Sequence, residues 1–125
     1  MKKKILICGN FNIVHSGHIR IFEFAKKMNT KLIVGVFCDK KAGKKVFIKE
    51  KQRLECVKSN TFVDEVHLIS SSLKNFILKI KPDILLKGQE FEKTNNPELK
   101  YLDKIGAKLI FGSGSTNYSS LEMIS

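Results

Sequence analysis

Apolar positions along this chain follow two rhythms. Short runs at about Lys3 to Cys8, Leu32 to Phe37, Glu65 to Leu68, Ile84 to Leu86 and Lys108 to Phe111 have the length of buried strands. Between them, apolar residues recur at helical spacing over roughly Gly17 to Met28, Glu50 to Asn60, Ser72 to Ile80 and Pro97 to Ile105. The last of these opens with Asn96 as expected N-cap and Pro97 at the first position, and Gly106 follows its end. Ser119 and Glu122 fit the S-x-x-E capping pattern, which predicts one more helix start. Strands alternating with helices predict an α/β fold, a doubly wound five-stranded parallel sheet in a single domain over residues 1–125. Because the chain stops at Ser125, about one turn into that last helix, the expectation is a truncated helix or one covered by a partner.

Sheets of this kind bind ligands beyond the carboxyl ends of their strands. That rule gathers His15, His18, Asp39, the Lys40 to Lys45 loop, Lys87-Gly88 and Ser113 to Ser120 on one rim. The densest chemistry lies in residues 9–18, Gly-Asn-Phe-Asn-Ile-Val-His-Ser-Gly-His, between the first strand and the first helix. His15 and His18 share one face of the helix entrance, and Gly17 removes a Cβ so that a phosphate can approach unpaired backbone N–H groups. The plain alternative is Ser16 as a cap and two solvated histidines. The preceding strand and the Gly-x-Phe turn favour an anion site.

Composition adjusts this picture without replacing it. The chain has 125 residues, 42% of them hydrophobic, enough for one core. Its formal charge of +11 comes partly from Lys40-Lys41, Lys44-Lys45 and Lys49 to Lys51. No stacking aromatics interleave these lysines, so a polyanionic small molecule is a better match than nucleic acid. The opening Met1-Lys2-Lys3-Lys4 mimics a secretion signal, but Gly9 and Asn10 interrupt the apolar run that follows. No stretch approaches a membrane span. Cys8, Cys38 and Cys56 lack metal-ligand spacing, which predicts reduced thiols, a cytoplasmic protein and no protein-held metal.

Gly9 to His18 resembles the signature of the HxGH nucleotidyltransferases, specifically the cytidylyltransferase-like group with its Rossmann-like sheet. Three further segments can be read against that family. In its members a lysine after the second strand and a downstream arginine hold the triphosphate and the acceptor's phosphate. Lys44, Lys45 and Arg53 are similarly placed, Arg53 within Lys51-Gln52-Arg53-Leu54, which resembles the family's Glu-Gln-Arg. Lys81-Pro82-Asp83-Ile84-Leu85-Leu86-Lys87-Gly88-Gln89-Glu90-Phe91 looks like the Pro-Asp-hydrophobic-Lys-Gly-Gly-Asp-Tyr segment of heptose-phosphate adenylyltransferases, with Gln89 and Glu90 as departures. Ser119-Ser120 is similar to a Ser-Thr pair at a triphosphate-binding helix start. Gly114 stands where the glycerol-phosphate branch has arginine, and Asn12 where the family has an aspartate.

The resemblance implies transfer of CMP from CTP to a small phosphorylated polyol or sugar with release of pyrophosphate. His15, His18, Lys44 and Lys45 would act on the phosphates; Gly9, Asn10, Phe11, Gly17, Lys87, Gly88, Ser119 and Ser120 would hold the nucleotide. Asn12, Asp39 and Arg53 would face the acceptor. Mg²⁺ would arrive with the triphosphate, and a homodimer is common in the family. The alternatives are adenylyl transfer from ATP to a sugar 1-phosphate and a nonenzymatic nucleotide-binding domain. A nucleic-acid module would use the basic loops, and a flavodoxin-like redox domain would share the sheet but leave the two histidines unexplained.

Overall fold

The computed structural model describes residues 3–11, 16–28, 30–43, 46–88, 95–112 and 118–121. Strand β1 (Lys3–Gly9) leads to α1 (Ser16–Lys26), β2 (Thr30–Phe37), a short α2 (Asp39–Ala42) and α3 (Glu50–Lys58). Then follow β3 (Glu65–Ile69), α4 (Leu73–Ile80), β4 (Ile84–Gly88), α5 (Leu99–Lys104), β5 (Lys108–Gly112) and β6 (Tyr118–Leu121). The sheet order is β3-β2-β1-β4-β5-β6, and β1 to β5 are mutually parallel. The expected five-stranded parallel sheet is therefore present, and a sixth strand extends its edge.

Alternating side chains along β1 go to opposite faces. Ile5 and Ile7 pack with Leu32, Val34, Leu86 and Ile110 beneath Phe22 and Ala25 of α1 and Val57 of α3. Leu6 joins Ile33, Leu85 and Leu109 beneath Phe76 and Ile77 of α4 and Leu102 of α5. Such a sheet is covered on both sides, which is why its strands read as continuous apolar runs rather than as alternation. The chain leaves β1 toward β2 and β3 and later returns to β4 on β1's other side, so the topological switch point lies between β1 and β4.

Local chemistry fixes the ends of these elements. Ser72 caps α4 by accepting the Asn75 N–H at 3.1 Å, and Lys81 ends that helix in the left-handed region at φ 52°. Asp83 accepts the Lys4 N–H at 2.8 Å through Oδ2, tying the start of β4 to β1.

Close packing is tightest at Gly35, where an added Cβ would lie 2.7 Å from Ile69 Cδ1 and 3.0 Å from Phe76 Cε2. Gly35→Ala should consequently destabilise the fold by about 1–3 kcal/mol through overpacking against Ile69 of β3 and Phe76 of α4. Chemical denaturation would show a lower midpoint at unchanged slope; an unchanged midpoint would mean that α4 can shift without loss.

Two expectations about helix ends are corrected. Residues 118–121 form β6, antiparallel to β5, with Ser119 opposite Phe111 and Ser120 opposite Ile110. No helix begins at Ser119. The open edge of β5 presents unpaired N–H and C=O groups, and a returning strand satisfies them, which the local capping pattern could not anticipate. Helix α5 begins at Leu99, two residues after Pro97, because Asn96 contributes its backbone carbonyl to the Leu99 N–H at 3.2 Å while its side chain points elsewhere.

Candidate active site at the β1–β4 switch point

The carboxyl ends of β1 and β4, with α1 and the start of α5, enclose a cavity of about 450 Å³. That volume is in the range of small-molecule sites. Its apolar walls include Ile7, Phe11, Phe22, Leu85 and Leu86. Its polar groups include His18, Asn10, Lys87 and Glu98. Of the residues expected at the site, Gly9, Asn10, Phe11, His18, Lys87 and Gly88 all line this one cavity, although almost eighty residues separate the first from the last.

The turn after β1 is built around Phe11, which adopts φ 51°, a conformation uncommon for a residue with a side chain. Its ring folds back so closely that a Cβ on Gly9 would stand 3.1 Å from Phe11 Cε2. The same ring meets His18 at a centroid distance of 5.1 Å and Phe22 at 5.9 Å. His18, half-buried in the first turn of α1, is thus braced by an aromatic wall at the cavity. Gly17 lies beside it in the same turn.

Arg53, expected to hold a phosphate, bonds the exits of β1 and β2. Its side chain is fully buried, with Nε donating to Ile48 O at 2.8 Å and Nη1 donating to both Asn10 O and Phe37 O at 2.7 Å. Nη2 donates to Asp39 Oδ1 at 2.7 Å. The fork therefore ties together the exits of β1 and β2, the start of α2 and the approach to α3. Through these four bonds the guanidinium holds the turn that carries Phe11. Asp39 belongs to the same scaffold, since its own N–H donates to Glu50 Oε1 at 2.8 Å.

At the other wall, Lys87 Nζ donates to Asn96 Oδ1 and to Glu98 Oε1, each at 2.7 Å. Glu98 is 7% exposed, and its second oxygen, Oε2, has no hydrogen-bond partner among the described residues. Neither Asn96 nor Glu98 stood out in the sequence as a site residue. A lysine at the inner end of a buried strand calls for a counter-charge, but the sequence does not say where it comes from.

Beside this pair, burial pushes the Cys8 thiol up to about 12; the negative charge of Glu98 adds to the shift and Lys87 opposes it. Cys8 is therefore a protonated, unreactive wall group at neutral pH. A thiol reagent at pH 8 should modify one cysteine quickly in the native protein, exposed Cys56, and all three after unfolding. Rapid native labelling of Cys8 would contradict this placement.

Asn12, His15, Lys44 and Lys45 lie outside the described residues, as do Gln89 and Glu90 beside Lys87-Gly88 and Gly114 before β6. Ser119 and Ser120 are described as backbone of β6. No helix of the described residues is long and apolar enough to cross a membrane.

Comparison with known proteins bears on this site. Residues 6–109 match the family model described as cytidylyltransferase-like. The bifunctional protein HldE of Desulfatibacillum aliphaticivorans is 30% identical over 129 residues, covering 98% of this chain and 26% of that protein. The FAD synthase of Ferroglobus placidus is 37% identical over 91 residues, 70% of this chain and 60% of its own length. The chain thus spans about a quarter of the first relative and less than two thirds of the second. Among solved structures, the lipopolysaccharide core biosynthesis protein from Thermoplasma volcanium superposes with a TM-score of 0.72 at 28% identity, covering 86% of this chain and 91% of that one.

Proposed function

Because this chain belongs to the cytidylyltransferase-like family of nucleotidyltransferases, we propose that it transfers a nucleotidyl group from a nucleoside triphosphate to a small phosphorylated acceptor. The observation that carries this reading is the convergence of Gly9 to Phe11, His18 and Lys87-Gly88 on one cavity at the switch point. A phosphate oxygen of the acceptor attacks the α-phosphorus, and the bond to the β-phosphate breaks. Pyrophosphate leaves with that bond's electron pair. The protein positions the two anions and neutralises charge, as phosphoryl transfer generally requires.

His18 donates a hydrogen bond to the phosphates as charge develops, aided by His15 from the same motif. Backbone N–H groups around Gly9, Asn10 and Gly17 approach the triphosphate. Lys44 and Lys45 supply cations from the loop after α2. Asn12 lies between the β1 turn and His15 in sequence and faces the acceptor in this reading. Ser119 and Ser120, being strand residues, have no helix-start role in it, and Arg53 with Asp39 acts through the scaffold. Mg²⁺ enters with the nucleotide, carried on triphosphate oxygens.

For the donor, ATP is the first reading and CTP the second. The Lys87-Gly88 segment resembles the adenylyltransferase form, and a relative named FAD synthase makes an adenine dinucleotide. The acceptor classes to try are accordingly sugar phosphates, polyol phosphates and a flavin phosphate. The reading also places the protein in the cytoplasm, in keeping with three free thiols. The test is pyrophosphate release on combining ATP, CTP, GTP and UTP with that acceptor panel. Acceptor-dependent release is expected, and none with any combination would favour a nonenzymatic nucleotide-binding role.

Lys44→Ala combined with Lys45→Ala should weaken triphosphate binding by roughly tenfold or more while leaving the melting temperature nearly unchanged. Calorimetric titration decides this. Unchanged affinity would mean that the loop lysines are only solvated surface.

A further inference from the structure

We infer that Glu98 reads the donor nucleotide's base and selects bases that carry an exocyclic amino group. This rests on the nucleotidyltransferase reading and adds to it a residue and a rule of specificity. Glu98 lies at the α5 wall of the cavity, with Oε1 bound to Lys87 Nζ at 2.7 Å and Oε2 buried without a hydrogen-bond partner among the described residues. An ionised carboxylate can only accept, and a buried acceptor left unmatched is unfavourable. A turn of the carboxylate that opens this oxygen to the cavity, met by a ligand N–H or O–H, removes that penalty. Lys87 already balances the carboxylate's charge, so the matching group is a neutral donor rather than a cation.

The surrounding surface distinguishes a base from a sugar. Half-buried Ile21, Phe37 and Leu73, with the Phe11 ring, line the cavity and give it apolar surface suited to a flat heterocycle. A polyhydroxylated ring placed there would bury hydroxyls that these walls cannot bond. Direction agrees: with the phosphates at His18 and the start of α1, the opposite end of the nucleotide crosses from β1 toward β4 and α5, where Glu98 stands. The amino groups of cytosine and adenine would donate to Oε2. The carbonyl at the same position of uracil or hypoxanthine would set lone pairs against it.

The test is titration calorimetry of the whole chain with CTP, UTP, ATP and ITP, pairs that differ at this group and in the proton on the adjacent ring nitrogen. Each amino nucleotide should bind at least about tenfold more tightly than its keto counterpart, because a polar group built to pair rejects an analogue that cannot pair. Glu98→Gln keeps an oxygen for Lys87 and turns an N–H₂ toward the ligand, which should abolish or reverse both preferences. Glu98→Asp, which keeps the charge but withdraws it by one methylene, should also lose the preference; it serves if the glutamine variant does not fold. Equal binding of amino and keto nucleotides by the native protein, or an unchanged preference in either folded variant, would overturn the inference and leave the nucleotidyltransferase reading standing. Binding of none of the four would overturn that reading and the inference with it.

Discussion

His18→Ala should lower turnover on the order of 10²-fold or more while changing nucleotide affinity little. The expectation follows from position: His18 sits in the first turn of α1, braced by the Phe11 ring at 5.1 Å, and lines the cavity that collects the other polar groups. A donor held in advance where charge develops contributes chiefly to the transition state, so its removal shows in kcat before KM. Loss of the imidazole also exposes part of Phe11, and a melting curve should separate any packing effect from the kinetic one. Near-normal kcat in a folded variant would return His18 to a packing role against Phe11.

Arg53→Ala should be damaging in another way, destabilising the protein by about 3 kcal/mol or more because it strands a charge partner and removes buried donors. Three backbone carbonyls, those of Ile48, Asn10 and Phe37, would each lose a donor, and Asp39 would lose this ion pair. For a domain of this size that corresponds to a fall in melting temperature of roughly 10 °C. Arg53→Lys should recover only part of it, since one ammonium cannot reproduce the planar fork. Wild-type stability together with weakened substrate binding would instead support a direct phosphate contact. The stability loss should reach the active site through Asn10 and the Phe11 turn.

The sheet was legible because a parallel strand covered on both faces has to be apolar throughout, and Ile5-Leu6-Ile7 and Leu32 to Phe37 are. The cavity positions Gly9, Asn10, Phe11 and His18 were legible because glycine and histidine have few reasons to recur at that spacing between a strand and a helix. Three features were hidden for different reasons. β6 depends on the unpaired edge of β5, a tertiary demand that the local Ser119-x-x-Glu122 pattern does not express. Arg53 has the same side chain whether it reaches a phosphate or backbone carbonyls, and only its complete burial separates the two. The partners of Lys87 lie nine and eleven residues along the chain, in the irregular connection before α5, so no periodicity links them to it. Asn96 misled for a related reason: it is a good capping residue whose side chain the lysine claims first.

Attack at the α-phosphorus is the central claim, and two labels of one nucleotide test it most directly. The protein is incubated with each acceptor of the panel and the donor carrying ³²P either at the α- or at the γ-position. The expected result is α-label joined to the acceptor and γ-label recovered entirely in pyrophosphate. Recovery of γ-label as orthophosphate, with α-label left in a nucleoside diphosphate, would contradict it.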